Sequence, residues 1–199
     1  ASLPMKTRLN SLHLLANLLN KERKIINKNA SLMSSLCSST GPSALCLTFI
    51  HSETDEDFES WAEEPPQFFD DNVWEGDDDA CAAESYLEAF VHDLGGKAVF
   101  PTLLPGIEQM LRGDWRSKRA GLAALERLLE ASPVAFSQFS TSAVEAATAC
   151  SKDANVRVQF QALQLLGSLC NKHATYKLQQ SFTQEIISSI CTLMGSSCL

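Results

Sequence analysis

Asp114 and Asp153 each open a stretch of apolar residues at helical spacing, and they stand 39 residues apart. Behind Asp114 the stripe is Leu122, Leu125, Leu128 and Leu129; behind Asp153 it is Val158, Ala162, Leu165, Leu166 and Leu169. Each is preceded by another helical pattern and a short turn. Stripes at i, i+3, i+4 and i+7 predict amphipathic helices. A helix pair with one apolar face cannot bury that face alone, so recurring pairs must stack on one another.

A period near forty residues matches two-helix HEAT or armadillo units, which run to about 40–47 residues. The expected fold is therefore all-α: a HEAT-repeat solenoid of stacked antiparallel helix pairs. Further stripes fill in the stack. Leu9, Leu12, Ala16 and Leu19 predict an opening helix with Lys21, Arg23 and Lys24 near its end, where cations suit the helix dipole. Lys28 to Ser52 is broken at Ser38-Ser39-Thr40-Gly41-Pro42, and Ala44 to Ile50 predicts one short buried helix. Tyr86, Leu87, Phe90, Val91 and Leu94 form the next stripe, stopped by Gly95-Gly96. Val99, Leu103, Ile107 and Met110 follow, with Pro101 expected in the first turn and Pro105 expected to bend the helix. Pro133 is expected to start a helix through Phe136, Phe139, Val144, Ala147 and Cys150, and Phe182, Ile186, Ile190 and Leu193 a last one. The expected units are partial repeats in 1–52, repeats in 80–113, 114–152 and 153–199, and an insertion in 53–79. With no polar cap evident at either end, the chain is expected to be one stretch of a longer solenoid.

The insertion holds 13 of the 24 acidic residues and no Lys or Arg, while the rest of the chain carries 16 basic against 11 acidic side chains, a net of +5. Crowded like charges and Pro65-Pro66 oppose a helix there. Phe58, Trp61, Phe68, Phe69 and Trp74 interleave with the acids, which a plain spacer has little use for. Acids attract a basic partner at long range, and rings can anchor it. The candidate partner-binding residues are Asp55, Glu56, Asp57, Glu59, Trp61, Asp70, Asp71, Trp74, Asp77, Asp78 and Asp79. A solvated spacer, or rings folded back on the solenoid, are the alternatives. So acidic a segment disfavours direct nucleic-acid binding.

No catalytic set emerges. His13, His51, His92 and His173 are scattered, and Leu94-Gly-Gly-Lys97 lacks the spacing and hydroxyl residue of a phosphate loop, so it reads as a helix stop and restart. The seven cysteines (37, 46, 81, 150, 170, 191 and 198) show no CxxC pair, and most fall on apolar sides of helices as small hydrophobes. No cofactor, metal site or membrane span is expected; the longest apolar run, Ala44 to Ile50, is far below the roughly 20 residues a span needs. Asp114 and Asp153 are expected to cap their helices, with Lys118 and Arg157 pairing with them or with the neighbouring repeat.

The run Leu94-Gly-Gly-Lys-Ala-Val-Phe-Pro101, then Ile107, Met110, Leu111 and Asp114-Trp115-Arg-Ser-Lys-Arg-Ala-Gly-Leu122, resembles the importin-β-type nuclear transport receptors. The likeness is nearest to the karyopherin beta-3 (Ran-binding importin) subgroup, where an acidic loop with a Trp precedes the same order of motifs. It covers roughly residues 50 to 171. The resemblance implies a shuttling receptor of cytoplasm and nucleus, not an enzyme. It would bind GTP-loaded Ran, basic cargo carrying nuclear localisation signals, and FG nucleoporins. It maps Ran or cargo contact onto the acids of 53–79 with Trp61, and makes Arg116, Lys118, Arg119, Arg157 and Gln159 candidates for the inner face. Lys118 and Gln159 stand where the family's ladder usually has Arg, and Gln159 brings no charge. A structural HEAT scaffold unrelated to transport is the other function class.

Overall fold

The computed structural model describes residues 4–52 and 79–172, together with 184, 187, 188, 190 and 191. All regular structure among them is helical. The helices are α1 (Met5–Ile26), α2 (Ala30–Leu36), α3 (Pro42–His51), α4 (Asp79–Leu94), α5 (Gly96–Leu111), α6 (Trp115–Ala131), α7 (Pro133–Phe136), α8 (Ser140–Cys150) and α9 (Val156–Lys172), with a 3-10 turn over Ser137–Phe139 between α7 and α8.

Most residues of the expected stripes are buried, with Ala16, Tyr86, Met110 and Phe139 partly so. Leu9, Leu12 and Leu19 of α1 and Leu87, Phe90, Val91 and Leu94 of α4 lie inside. So do Leu122, Leu125, Leu128 and Leu129 of α6, and Val158, Ala162, Leu165, Leu166 and Leu169 of α9. Four of these helices, α1, α4, α6 and α9, pack side by side in chain order, forming one layer. Beside them lie α3, α5 and α8, each packed on the first-layer helix that follows it, and α3 also reaches α6. One continuous core runs through both layers. Burying a Leu or Phe side chain contributes about 1.5–3 kcal/mol, so a shared core of this kind holds the pairs together.

Turns inside a pair are short: Gly95 alone separates α4 from α5, and Ser132 alone separates α6 from α7. Gly95 has φ 90°, the left-handed region, and its amide donates to the Val91 carbonyl at 2.9 Å, closing α4. Its own carbonyl accepts from Ala98 at 3.0 Å, so the same residue opens α5. Gly96 is held small by contact, because a Cβ there would stand 2.8 Å from the Ser132 Cβ. The start of α5 therefore abuts the α6–α7 turn, and Phe100 meets Phe136 and Phe139 edge-on at centroid distances of 6.3 and 5.9 Å.

Several expectations change. The chain from Pro133 to Cys150 is two helices joined by the 3-10 turn, not one. Pro101 lies in the interior of α5 rather than its first turn. Having no N–H, it and Pro105 cannot donate to the carbonyls of Lys97 and Pro101. A further helix, α2, is capped by Asn29, whose side chain accepts from the Leu32 amide at 3.1 Å. Asp79 is the first residue of α4 rather than part of the preceding segment, and a carboxylate suits that helix end. Residues 53–78 lie outside the described residues, with every other candidate of the acidic segment. Of the last expected helix, Ile190 is helical and exposed, while Phe182, Ile186 and Leu193 are outside.

Candidate protein-interaction surface

The basic candidates gather on the first turns of α6 and α9, two neighbouring first-layer helices. Asp114 caps α6, its side chain accepting from the Ser117 amide at 2.8 Å. That bond holds the Asp114 carboxyl below its ordinary range. Above the cap, the Arg116 guanidinium lies over the Trp115 ring, 4.5 Å from its centroid. Arg119 is half-buried on the same turns.

Lys118 leaves its own repeat. Its Nζ donates to Asp153 Oδ2 at 2.7 Å, in the turn before α9. This bond lowers the Asp153 carboxyl below its usual range and raises the Lys118 ammonium above its own. Asp153 does not cap α9. Its Oδ1 accepts from the Asn155 amide at 2.9 Å, an Asx turn, and Asn155 is the cap, its Oδ1 accepting from the Arg157 amide at 2.9 Å. Gln159 folds back on the same turn, Nε2 donating to the Asp153 carbonyl at 2.6 Å. Arg157 is buried. Of the inner-face candidates, then, Lys118 and Gln159 are engaged with one inter-repeat turn, and Arg157 stands inside.

A second polar set, not singled out from the sequence, crosses the first layer deeper down. Arg127 of α6 donates to Glu84 of α4 at 3.2 Å and to Glu130 at 2.8 Å, with Glu88 at 3.8 Å. Burial works against its charge, but Glu84, Glu126 and Glu130 outweigh it and hold the guanidinium above its ordinary value. The Glu126 carboxylate is buried on the other flank of α6. It accepts from Gln161 Nε2 at 2.8 Å and Ser168 Oγ at 2.7 Å of α9. Burial pushes its carboxyl up, against the smaller opposing effect of the Ser168 bond. The available sequence signal was a charged pair, Glu126-Arg127, set inside a run of leucines.

The α1–α4 seam is tied the same way. Tyr86 Oη lies 3.0 Å from His13 Nδ1, and buried Asp93 takes Arg23 at 3.8 Å and His92 at 2.9 Å. From α3, His51 Nε2 lies 3.0 Å from Ser117 Oγ at the start of α6. Every first-layer seam thus pairs an apolar contact with at least one polar tie. Cys46 and Cys150 are buried, and burial raises both thiols, which suits small hydrophobes; Cys170 and Cys191 are exposed instead. Among the described residues no group of three metal-ligating side chains occurs, and no helix is long and apolar enough to cross a membrane.

No protein-family model matches the sequence. Among solved structures the chain is similar to the karyopherin Kap121p bound to the extreme C-terminus of the protein phosphatase Cdc14p, with a TM-score of 0.76 and 19% identity over 96% of this chain. A second structure of Kap121p gives a TM-score of 0.76 and 18% identity over the same share. The chain spans 18% of the length of that karyopherin. The described helix pairs have the fold of a stretch of an importin-β-like HEAT solenoid.

Proposed function

We propose that the chain is a stretch of a nuclear transport receptor that carries protein cargo and responds to GTP-loaded Ran. The observation that carries this is the match of a karyopherin fold across 96% of the chain. The ordered Gly-Gly-Lys and Asp-Trp motifs of the sequence point the same way. The Kap121p structure holds a segment of another protein, and the corresponding act here is capture of a basic segment of cargo. The acids of 53–79 with Trp61 and Trp74 supply attraction and anchoring, while Arg116 and Arg119 supply cationic contacts. The subgroup is that of karyopherin beta-3, and the protein shuttles between cytoplasm and nucleus, meets FG nucleoporins on the way and catalyses nothing.

The test is titration of the chain with Ran loaded with GTP or GDP, repeated after deletion of residues 53–79. The expected outcome is GTP-selective binding that weakens with added salt and with the deletion. Equal affinity after the deletion sinks the role of the acidic segment; no binding of either Ran form to the chain removes Ran from its partners.

A second reading rests on one specific observation. Lys118 and Gln159 spend their polar atoms on the Asp153 turn, which suits a scaffold whose ladder positions hold repeats together. Under that reading neither Ran nor a nuclear localisation peptide binds.

A further inference from the structure

The short helix α2 is loosely secured. Among the described residues no other helix packs along it, and it meets the core through buried Leu36 and partly buried Met33. Its 7 residues cannot hold a helix by themselves, since in water even about 12–15 are marginal. Hydroxyls crowd this stretch and the turn after it: Ser31, Ser34, Ser35, Ser38, Ser39 and Thr40. The hydroxyls of Ser35 and Ser38 donate to the carbonyls of Ser31 and Ser35, at 3.1 and 2.8 Å. Ser31 is exposed, as are Asn29, Ala30 and Leu32 around it. Upstream stand Lys21, Arg23, Lys24 and Lys28, all exposed, against the single acid Glu22, a net of +3.

We propose that Ser31 is a phosphorylation site for a protein kinase that selects cations on the N-terminal side of its target. Such a kinase reads charge pattern along an extended stretch. A target therefore needs a cation at fixed spacing and a backbone free to leave its helix. Among the described Ser and Thr residues, Ser11 and Ser31 alone stand three places after a cation, Arg8 and Lys28, and a leucine follows each. The fold separates the two. Ser11 lies in α1 between buried Leu9 and Leu12 and donates to the Thr7 carbonyl at 2.9 Å, so freeing it breaks core contacts. Around Ser31 only the short α2 has to open. In the transfer, Ser31 Oγ bonds the terminal phosphorus of a nucleoside triphosphate as the bridging P–O bond breaks. The nucleoside diphosphate leaves, and the Oγ proton passes to the kinase's carboxylate base. The phosphate brings about −1.5 to −2 charges, removing half or more of the +3 at the end of α1. The site is a charge switch away from the turns before α6 and α9, and it holds for a transport receptor and for a scaffold alike.

The test incubates the chain with ATP and the catalytic domain of a protein kinase C, followed by phosphopeptide mapping. The expected product carries one phosphoryl group, on Ser31, with Ser11 unlabelled. Lys28→Glu should lower kcat/KM at least about tenfold, because it sets a like charge against the acidic cleft of the kinase. Ser34→Ala combined with Ser35→Ala strengthens α2 as a helix and should slow the labelling of Ser31. All three substituted positions are exposed, so these variants keep the core intact. No incorporation, labelling of Ser11 as fast as Ser31, or labelling centred on residues 34–40 overturns the proposal. So does a rate that Lys28→Glu or the strengthened helix leaves unchanged.

Discussion

Lys118 Nζ and Asp153 Oδ2, 35 residues apart in sequence, are joined by a 2.7 Å bond that fastens the first turn of α6 to the turn before α9. Both side chains are partly exposed, 31% and 14%, so the tie is a modest one. Replacing Lys118 by Met should cost about 0.5–1 kcal/mol in urea unfolding. It should leave Asp153 bound to the Asn155 amide.

The same pair sets an acid and an alkaline limb. Asp153 is held low in the fold, so its contribution is present above the unfolded carboxylate value, about 3.9, and is lost as pH falls through the lower folded value. Lys118 is held high, so its contribution is present below about 10.4 and is lost as pH rises through the higher folded value. Asp153→Asn should flatten the acid limb of a stability–pH profile relative to wild type. An unchanged profile would show that the tie is not formed in solution.

Glu126 has the opposite sign to Asp153. Burial raises its carboxyl, so the fold favours the protonated form. Its stabilising contribution is complete below the unfolded value, about 4.3, and is lost as pH rises through the raised folded value. Glu126→Gln, which does not titrate, should remove that slope. Glu126→Ala should cost about 1–3 kcal/mol in addition, because the donors of Gln161 and Ser168 lose their acceptor. Thermal unfolding at pH 5 and pH 7 separates the two outcomes.

Two glycines in sequence should fail for different reasons. Gly95→Ala places a Cβ at φ 90°, with an expected cost of about 1–2 kcal/mol from backbone conformation alone. Gly96→Ala meets Ser132 and the tip of Phe100, an overpacking cost of about 1–3 kcal/mol. Adding Ser132→Gly should recover part of the Gly96→Ala loss and none of the Gly95→Ala loss. Equal recovery of both would refute the assignment.

Leu128 is fully buried in α6, which packs against both α4 and α9. Leu128→Ala should cost about 2–5 kcal/mol in equilibrium unfolding.

The helical stripes were legible because burial in a two-layer stack imposes one period on every helix, and that period survives in the residues themselves. Leu122, Leu128 and Leu165 needed no partner to be placed inside. The α4–α5 junction was legible too, since Gly95-Gly96 admits few structures other than a stop and restart. Pair-specific detail was not. Asp153 and Asn155 are both good caps, and only the fold shows that Lys118 draws the aspartate out of the role and leaves it to the asparagine. Pro101 looks like a helix start when the preceding Gly-Gly is read as a longer break. The Glu84–Arg127 and Glu126–Ser168 ties join residues 43 and 42 positions apart, and no local pattern announces a partner at such a distance.

The turn lengths bear on how such a chain can grow. Inside the pairs α4–α5 and α6–α7 the connections are the single residues Gly95 and Ser132, whereas between pairs they run to 3 residues before α6 and 5 before α9. A duplication or insertion landing inside a pair would force apart helices that meet at one residue. The same event between pairs leaves both neighbours intact. Lineages of this chain should therefore gain and lose sequence at one class of junction only, and the acidic stretch sits at such a junction.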